Sequence, residues 1–556
     1  MRTDVSGWQV RLDDALIAGH VGSGAWRNQT IADAARALAA REPQRVTHVF
    51  EGRAWTIAEL VREADALAAS LRAMGLHPGD VVSFQLPNWV EALVIDLAAA
   101  MLGLVVAPIV PIYRDAELAY MLADAGVKAA FVPGEYRGVD YMAMMRRLAP
   151  QLPALKHVCT VRAVVGQGSG DACSYELLTG AGKKLGGEFG SAAVVDPNAV
   201  KLILYTSGTT GRPKGVLHTH NSMDYAVCRA IAHWGQGDGD TILMASPVTH
   251  ITGYGSGLEL PILSGMRAVF MERWNAAEGV ALIEREQVTM SMGATPFLQE
   301  LLAEAARQGK RLPSLRSYAC GGAAVPPALI RQAGEVLENC RAFRVFGASE
   351  VPLTTLGFVG DGQVDLAAET DGEIVHYEVR VVDDDGRELP DGVEGEICAR
   401  GPAMMLGYAD SGQNADSFDA DGFFRTGDLG HVTAQRAIVI TGRKKDLINR
   451  GGEKISAKEV EDILHRHAAV DEAAVVAMPH DRLGETVCAF VTLKADQLFD
   501  FEQMIAHVDT TGVAKQKYPE CLVVLDALPR TPTGKIRKDL LREHIRARVQ
   551  AQRNAA

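Results

Sequence analysis

The sequence lacks several features that would each point to a class of protein. None of its eight cysteines forms a Cys-x-x-Cys pair, which argues against a disulfide framework or a zinc site and favours free thiols in a reducing compartment. The N-terminus has no apolar signal-peptide core. The longest uncharged apolar run, 97–113, is interrupted by Pro108 and Pro111 and falls short of the roughly 20 residues that a spanning helix needs. We therefore expect a cytoplasmic protein without an integral membrane segment.

An excess of positive charge is also absent. The chain has 56 Lys and Arg against 69 Asp and Glu, for a net charge of −13. Nonspecific binding to nucleic acid is therefore not favoured, and we expect no nucleic-acid partner. The 556 residues are 47% hydrophobic and 22% charged, which is a globular composition long enough for more than one domain.

The most informative stretch is 205–216, which reads Tyr-Thr-Ser-Gly-Thr-Thr-Gly-Arg-Pro-Lys-Gly-Val. The apolar run 200–205 before it predicts a buried strand, and 221–234 after it has the apolar spacing of a helix. A glycine- and hydroxyl-rich loop with a cation, Lys214 or Arg212, suits a polyphosphate, because glycine lets backbone N–H groups turn toward oxygens. It is not a Walker-type loop, since Lys214 is followed by Gly215 and Val216 instead of Ser or Thr.

The order of apolar runs along the chain predicts the fold class. Strand-like and helical runs alternate through 30–150 and 200–346, which predicts an α/β fold of mainly parallel, helix-covered sheets. A glycine-rich stretch at 160–195 reads as a surface connector. Residues 372–442 are strand-rich with Asp-Gly turns, and a capping pattern at Ser456 and a basic helix from Lys535 mark a smaller α+β unit. We expect a large N-terminal domain at 1–444, with a β subdomain at about 350–442, and a small C-terminal domain at 445–556.

The loop at 205–216 resembles the phosphate loop of the adenylate-forming superfamily, which includes acyl-CoA synthetases, firefly luciferase and the adenylation domains of peptide synthetases. Five later segments match this superfamily in order, so the resemblance covers most of the chain: 320–326, 346–350, 424–428, 441–454 and 529–535. It implies that the chain activates a carboxylic acid with ATP and Mg²⁺ as an acyl-adenylate and then forms a thioester, with CoA as the expected acceptor.

The resemblance also implies a nucleotide site. Phe346 would stack on adenine, Asp428 would accept the ribose hydroxyls, and Arg443 would contact ribose or phosphate. At 346–350 the chain has Phe-Gly-Ala-Ser-Glu, where the family has Tyr-Gly-x-Thr-Glu, and these departures keep a ring and a hydroxyl. The expected ATP- or AMP-binding residues are Thr206, Ser207, Gly208, Thr209, Thr210, Lys214, Gly322, Ala323, Phe346, Gly347, Ser349, Asp428 and Arg443.

Four residues are expected to be catalytic: Lys535, Glu350, Thr206 and His250. Lys535, on a Gly/Pro-ordered loop, would stabilise the charge that builds as the acid attacks phosphorus. Glu350 would hold Mg²⁺. The local sequence around Lys535 resembles acetylation sites of acyl-CoA synthetases, which predicts a lysine acetyltransferase as a partner.

The second half-reaction needs a different site, because thiol attack does not use Lys535. The family rotates its small domain about a hinge, so the C-terminal domain is expected to be mobile. Lys445 aligns with the hinge residue. Gly451 and Gly452 would then line the tunnel for the pantetheine arm of CoA.

The acid is expected to contact His250, Ile251, Thr252, Gly253, Gly321 and Gly322, with Val248 and Tyr225 nearby. His250 resembles the family's aromatic gate. The strings at 346–350 and 448–454 resemble 2,3-dihydroxybenzoate-adenylating enzymes, while 442–446 and 450–456 resemble short- and medium-chain or cyclohexanecarboxylate CoA ligases. The dihydroxybenzoate enzymes typically place Asn where this chain has Ile251, which favours a less polar acid.

Three functions therefore stay open at this point. The favoured one is a CoA ligase for a short- or medium-chain or alicyclic acid. The alternative is an aryl-acid AMP ligase that loads a carrier protein in trans, because we expect no built-in carrier domain after Lys535. A remote third is a non-catalytic adenylate-binding sensor, against which the presence of Lys535, Glu350, Asp428 and Arg443 argues.

Overall fold

A computed structural model describes residues 1–163, 173–185, 194–206, 213–323, 325–531 and 534–555, with side chains described up to 551. Within the predicted connector at 160–195, residues 164–172 and 186–193 lie outside this set, and part of the remainder forms a strand and a helix. Four predicted nucleotide-binding residues, Ser207, Gly208, Thr209 and Thr210, also lie outside this set.

The first sheet has seven strands and ends in a hairpin. All its neighbouring strands are parallel except the last two, which are antiparallel. The spatial order is Cys173–Ser174, His157–Val161, Val127–Pro133, Val81–Phe84, Val105–Pro108, Val200–Thr206 and Lys214–Thr219. The predicted strand at 200–205 is confirmed. The chain then returns as a second strand before the helix begins at His220.

The second sheet also has seven strands, and it too is parallel except for a terminal hairpin. Its order is Arg341–Val345, Ser317–Gly321, Met290–Gly293, Thr241–Met244, Arg267–Phe270, Val46–Phe50 and Arg53–Thr56. The predicted mainly parallel architecture is confirmed. Because parallel strands end on the same edge, residues after 244, 293, 321 and 345 are brought together there.

Helices cover these sheets and pack on them through two apolar cores. Val90–Leu102 is buried on nearly every side, which explains the apolar run at 97–113. Asn275 caps its helix by accepting a hydrogen bond from the backbone N–H of Glu278. The helices of this part are Asp14–Gly22, Ile31–Arg41, Ile57–Ala73, Val90–Leu102, Asp115–Asp124, Tyr141–Leu148, Tyr175–Lys184, His220–Trp234, Ala276–Glu286, Thr295–Arg307, Pro327–Val336 and Val364–Glu369. A helical run at 251–264 contains a π-helical turn, Tyr254–Glu259.

The strand-rich segment forms a four-stranded antiparallel sheet of Glu378–Val382, Gly395–Arg400, Phe424–Val432 and Ile438–Arg443. The register sets Asp428 opposite Arg443. An acidic and a basic side chain from separate parts of the sequence thereby become neighbours.

The C-terminal part is a smaller α+β unit with apolar cores on both faces of its sheet. Its strands are Ile448–Arg450, Glu453–Ile455, Val470–His480, Gly484–Leu493 and Cys521–Val524, and its helices are Ala457–His465, Phe501–Asp509 and Lys538–Ala555. The one-turn 3-10 helix Lys444–Asp446 connects it to the preceding sheet. The domain boundary at 444/445 stays a prediction. None of the helices in the described part of the chain combines the length and apolarity that a membrane crossing requires.

Candidate active site

A cavity of about 730 Å³ lies where the edges of the sheets, the β subdomain and the C-terminal unit meet. Fourteen predicted site residues line it: Thr206, Lys214, His250, Ile251, Thr252, Gly321, Gly322, Phe346, Gly347, Ser349, Glu350, Arg443, Lys445 and Lys535. Gly253, Ala323 and Asp428 lie beside lining residues but not in the wall itself, and Gly451 and Gly452 lie away from it.

Lys535 enters this cavity from the C-terminal unit. A Cβ atom added to Gly322 would lie 3.7 Å from Cε of Lys535, and one added to Gly534 would lie 3.5 Å from Cβ of Ala294. Burial lowers the pKa of the Lys535 ammonium, and nearby Arg443 lowers it further. The carboxylates of Asp428 and Glu350 have the opposite effect and raise this pKa. Burial removes part of the hydration of the Lys535 amine.

His250 lies close to Lys535 at the start of the helical run. Its backbone carbonyl accepts a hydrogen bond from the backbone N–H of Tyr254 at 2.8 Å. Burial and then Lys535 lower the pKa of the imidazole to about 3, so His250 is neutral near pH 7. At Gly253 a Cβ would collide with the carbonyl oxygen of Pro247, so only glycine permits this turn.

Glu350 presents its carboxylate to the same cavity. Its Oε1 accepts a hydrogen bond from the Tyr408 hydroxyl at 2.9 Å and one from Oγ1 of Thr206 at 3.4 Å. Nζ of Lys214 lies 4.6 Å from the centre of the Tyr408 ring. Tyr408 thus contacts both Glu350 and Lys214, and no motif around Tyr408 predicts these contacts.

Hydrogen bonds hold the segment 346–350, whose contact with adenine stays a prediction. The backbone N–H of Phe346 donates to Oγ1 of Thr355 at 2.8 Å. His218 contacts the carbonyl oxygen of the buried Ser349 at 2.7 Å. A Cβ on Gly347 would lie 2.6 Å from the backbone nitrogen of Leu353, so glycine is required there too.

Asp428 and Arg443 form an ion pair across their two strands. Nε of Arg443 donates to Oδ1 of Asp428 at 2.5 Å, and Nη2 donates to Oδ2 at 3.4 Å. The attraction of Asp428 is the largest cause of the raised pKa of Arg443. Ribose binding by Asp428 stays a prediction, and it would have to share or replace these bonds.

The predicted hinge and tunnel residues lie in different surroundings. Burial and then Arg443 lower the pKa of the Lys445 ammonium, which lines the cavity. Gly451 and Gly452 form the turn between two short strands, both with positive φ. Their tunnel role therefore needs the C-terminal unit to move, and it stays a prediction.

One wall of the cavity is apolar. It combines the helix His220–Trp234 with the helical run at 251–264 and the second sheet. Its residues, called the apolar wall below, are Met223, Ala226, Val227, Ala230, Leu260, Met292 and Phe297. The Ser256 hydroxyl, also in the lining, donates to Sδ of Met292 at 3.5 Å. Sequence reasoning named 250–253 but missed this helix face, and the predicted Tyr225 instead packs against His376.

Protein families, curated sequences and solved structures similar to this chain match it over most of its length. The AMP-binding enzyme family matches residues 35–409, and the C-terminal domain of AMP-binding enzymes matches residues 459–535. The chain is 35% identical to a medium-chain fatty-acid–CoA ligase of Escherichia coli, over 95% of this chain and 92% of that protein. It is 31% identical to a 2,3-dihydroxybenzoate-AMP ligase of Bacillus subtilis, over 97% and 98%. The ATP-bound crystal structure of MatB from Rhodopseudomonas palustris superposes with a TM-score of 0.80 at 27% identity, over 93% of this chain and 99% of that one.

Proposed function

The chain belongs to the AMP-binding enzyme family, and from that premise we propose that it converts an apolar carboxylic acid to an acyl-adenylate and transfers the acyl group to CoA. The observation that carries the proposal is the position of Lys535. Its side chain packs against Gly322, in the cavity that also contains Glu350 and Lys214. Anionic substrates are what such a group of residues would bind.

In the first half-reaction a carboxylate oxygen attacks the α-phosphorus of ATP. The bond from that phosphorus to the bridging oxygen of the β-phosphate breaks, and pyrophosphate leaves. Lys535 would offset the negative charge that gathers between the two anions, and Arg443 and Lys214 would support it. His250 is neutral and adds no charge; it would border the reacting carboxylate.

Glu350 would hold the Mg²⁺ that accompanies ATP, and the ion would neutralise phosphate charge. The described ranges contain no group of three or more His, Cys, Asp or Glu side chains placed to hold a metal. A single carboxylate fits Mg²⁺, which commonly takes one or two protein carboxylates together with phosphate oxygens and water. Tyr408 and Thr206 would keep the Glu350 carboxylate oriented.

In the second half-reaction the thiol sulfur attacks the acyl carbon of the adenylate, and AMP leaves. Lys535 fills the site in the present arrangement, so the C-terminal unit would first rotate about Lys445 and bring Gly451 and Gly452 to the entrance. The predicted action of a lysine acetyltransferase on Lys535 stays a prediction; acetylation would remove the charge that only the first half-reaction uses.

The apolar wall supports an aliphatic or alicyclic acid. Hydrophobic side chains gain from excluding water around an apolar substrate, whereas a ring hydroxyl would need a polar partner. Ile251 supplies none, and the Ser256 hydroxyl is already engaged with Met292. This leaves the Thr249 hydroxyl, in the cavity lining and without a hydrogen-bond partner in the described structure, as a polar group that a ring hydroxyl could meet. The similarity to an aryl-acid AMP ligase keeps an aryl acid and a carrier protein as the second candidate.

A panel of aliphatic, alicyclic and aryl acids tests the proposal. AMP release would be measured for each acid with Mg·ATP, with and without CoA. We expect the fastest release with an apolar aliphatic or alicyclic acid, and we expect it to require CoA for sustained turnover. Preference for a hydroxylated aryl acid with no effect of CoA would favour the carrier-loading alternative. No acid-dependent AMP release from any member would overturn the enzymatic proposal.

A further inference from the structure

Two pairs of cysteines face each other across neighbouring parallel strands, away from the candidate active site. Cys488 is the register partner of Cys521, and Cys159 is the register partner of Cys173. All four are free thiols, and none lines the active-site cavity.

The Cys488–Cys521 pair has the spacing that a disulfide needs. Neighbouring strands lie roughly 4.8 Å apart, within the range of about 4.4–6.8 Å that disulfides span between Cα atoms. Both side chains are on one face of the sheet. Cys488 belongs to the apolar core that contains Phe490 and Ile545, and Cys521 packs against the same core.

The two thiols differ in a way that suits sequential oxidation. Cys488 is fully buried, whereas Cys521 is half-buried. A hydrogen bond from Cys488 lowers the pKa of the Cys521 thiol and outweighs the opposite effect of its partial burial, and the positive charge of Arg548, on the helix that covers this face, lowers it further. The pKa of Cys488 is raised by the same hydrogen bond and by burial. Thiolate character and access therefore both favour Cys521 as the first thiol to react.

We propose that Cys488 and Cys521 form a thiol–disulfide site that a hydroperoxide oxidises reversibly. The Cys521 thiolate attacks the peroxide oxygen; an S–O bond forms, the O–O bond breaks, and water or an alcohol leaves with the proton. The Cys488 sulfur then attacks the resulting sulfenic acid; the S–S bond forms, the S–O bond breaks, and a second water carries away the Cys488 proton. Two thiols lose two electrons, and the hydroperoxide gains them.

Cys159 and Cys173 provide an internal comparison for the pair Cys488 and Cys521. They share the parallel register, and again one thiol is buried and its partner is half-buried. The pKa shifts of these two thiols have no contribution from a cation in the described part of the chain, unlike those of Cys488 and Cys521. We therefore expect the pair beside Arg548 to be oxidised at lower peroxide concentration.

Peroxide titration of the full-length reduced protein tests the site. Samples would be quenched with N-ethylmaleimide in denaturant, digested without reduction and analysed by mass spectrometry. We expect a cross-linked peptide joining Cys488 to Cys521, loss of two of the eight free thiols, and recovery of both with dithiothreitol. Cys521→Ser and Cys488→Ser should each abolish this cross-link, and Cys173→Ser should leave it intact.

Two results would overturn the proposal. One is full alkylation of Cys488 and Cys521 at peroxide levels that already oxidise exposed methionines. The other is conversion of Cys521 to sulfinic acid without any cross-linked peptide. The digest of the wild-type protein shows whether the cross-linked peptide forms, even where a serine variant fails to fold. Because the pair shares no residue with the cavity, the result is independent of the proposed function.

Discussion

Cationic side chains from two parts of the chain meet at the active-site cavity. Arg443 and Lys445 come from the segment that connects the β subdomain to the C-terminal unit, and Lys535 comes from the last loop. Burial lowers the pKa of both lysines, and Arg443 lowers both further. Binding of ATP and a carboxylate would relieve this repulsion. The cations would therefore stabilise the complex with ATP and the carboxylate, two anions that otherwise repel each other.

Tyr408→Phe tests whether one hydroxyl orients Glu350. The ring and its contact with Lys214 would remain, but the hydrogen bond to Glu350 would be lost. A hydrogen bond to a charged group contributes about 1.5–3 kcal/mol, so we expect KM for ATP to rise by roughly tenfold or more. The Mg²⁺ concentration at half-maximal rate should rise as well, with a smaller change in kcat.

Tyr377→Phe is the matched control for this change. Tyr377 is buried and, within the described structure, its hydroxyl has no hydrogen-bond partner. Loss of the Tyr377 hydroxyl should leave KM for ATP unchanged. An unaltered KM and Mg²⁺ response in Tyr408→Phe would show that Tyr408 does not orient the carboxylate.

The sequence predicts the motif residues of the site but does not predict Tyr408. Lys535, Glu350 and Arg443 each lie in a short string whose composition suggests a ligand, and the structure brings all three into one cavity. Tyr408 reaches that cavity through pairing distant in sequence: the backbone N–H of Leu406 donates to Leu217, and that of Ala409 donates to Gly215. Contacts between segments this far apart leave no local pattern.

The phosphate loop connects two antiparallel strands, where the sequence suggested a strand followed by a helix. The short run at 214–219 gives little periodic signal, and its strand character comes from pairing with Val200–Thr206. A Cβ on Gly215 would lie 2.7 Å from Cδ1 of Ile203, so a larger residue there would displace the end of the Ile203 side chain. The register places Lys214 opposite Thr206, which fixes both ends of the loop beside Glu350.

Ala230→Phe tests whether the helix face sets the length of the acid. Met223 and Ala230 both line the cavity and are seven residues apart on one helix, a rise of about 10 Å. A phenyl ring at 230 would fill the far end of this wall. We expect kcat/KM to fall by roughly tenfold or more for the longest acids accepted, because inserted bulk costs about 1–3 kcal/mol, while the shortest acids are unaffected.

Ala232→Phe places the same ring on the exposed face of that helix and should leave the preference unchanged. Equal losses for short and long acids in Ala230→Phe would indicate damage to the fold, and no loss for any acid would show that the substrate does not reach Ala230.

Lys445→Pro tests the hinge. A proline fixes φ near the value of a 3-10 turn such as Lys444–Asp446, so the present arrangement should tolerate it. Leaving that conformation would cost about 1–3 kcal/mol. Lys445→Ala removes the same charge without fixing φ, so it is the reference for both rates. Relative to Lys445→Ala, we expect Lys445→Pro to preserve adenylate formation and to lower thioester formation by roughly 5- to 150-fold. Equal rates of both steps in the two variants would contradict a hinge role.

The molecule as a whole buries several neutral histidines. Burial lowers the pKa of His48 and His218 to about 4 and that of His250 and His376 to about 3, and it places that of His220 well below its usual value. Above pH 6.5 both folded and unfolded chains hold these rings neutral. Between about pH 6.5 and 4 the unfolded chain binds more protons, so folding is progressively disfavoured as the pH falls.

We therefore expect the melting temperature to fall steadily between pH 7 and 5. Each such histidine would contribute up to about 1.4 kcal/mol per pH unit below pH 6.5. His218→Gln should flatten this dependence, whereas His77→Gln, at an exposed position, should not. Thermal scans across this range check the effect, and a melting temperature independent of pH would contradict it.

Two polar contacts between described residues join the C-terminal unit to the preceding sheet and its turn. Lys454 pairs with the exposed Asp384 at 2.6 Å, and Oγ of Ser456 donates to the carbonyl oxygen of Thr441 at 2.7 Å. Exposed ion pairs are worth about 0–1 kcal/mol. Contacts this weak are compatible with a unit that changes position between two half-reactions.

ATP–pyrophosphate exchange in Lys535→Ala is the most direct test of the central claim, that Lys535 serves adenylate formation alone. The variant and the wild type would be compared with an apolar acid such as octanoate, and thioester formation would be measured separately from supplied octanoyl-AMP and CoA. We predict that exchange falls by about 100-fold or more, while thioester formation from the adenylate stays near the wild-type rate. Exchange that survives in Lys535→Ala would contradict the account.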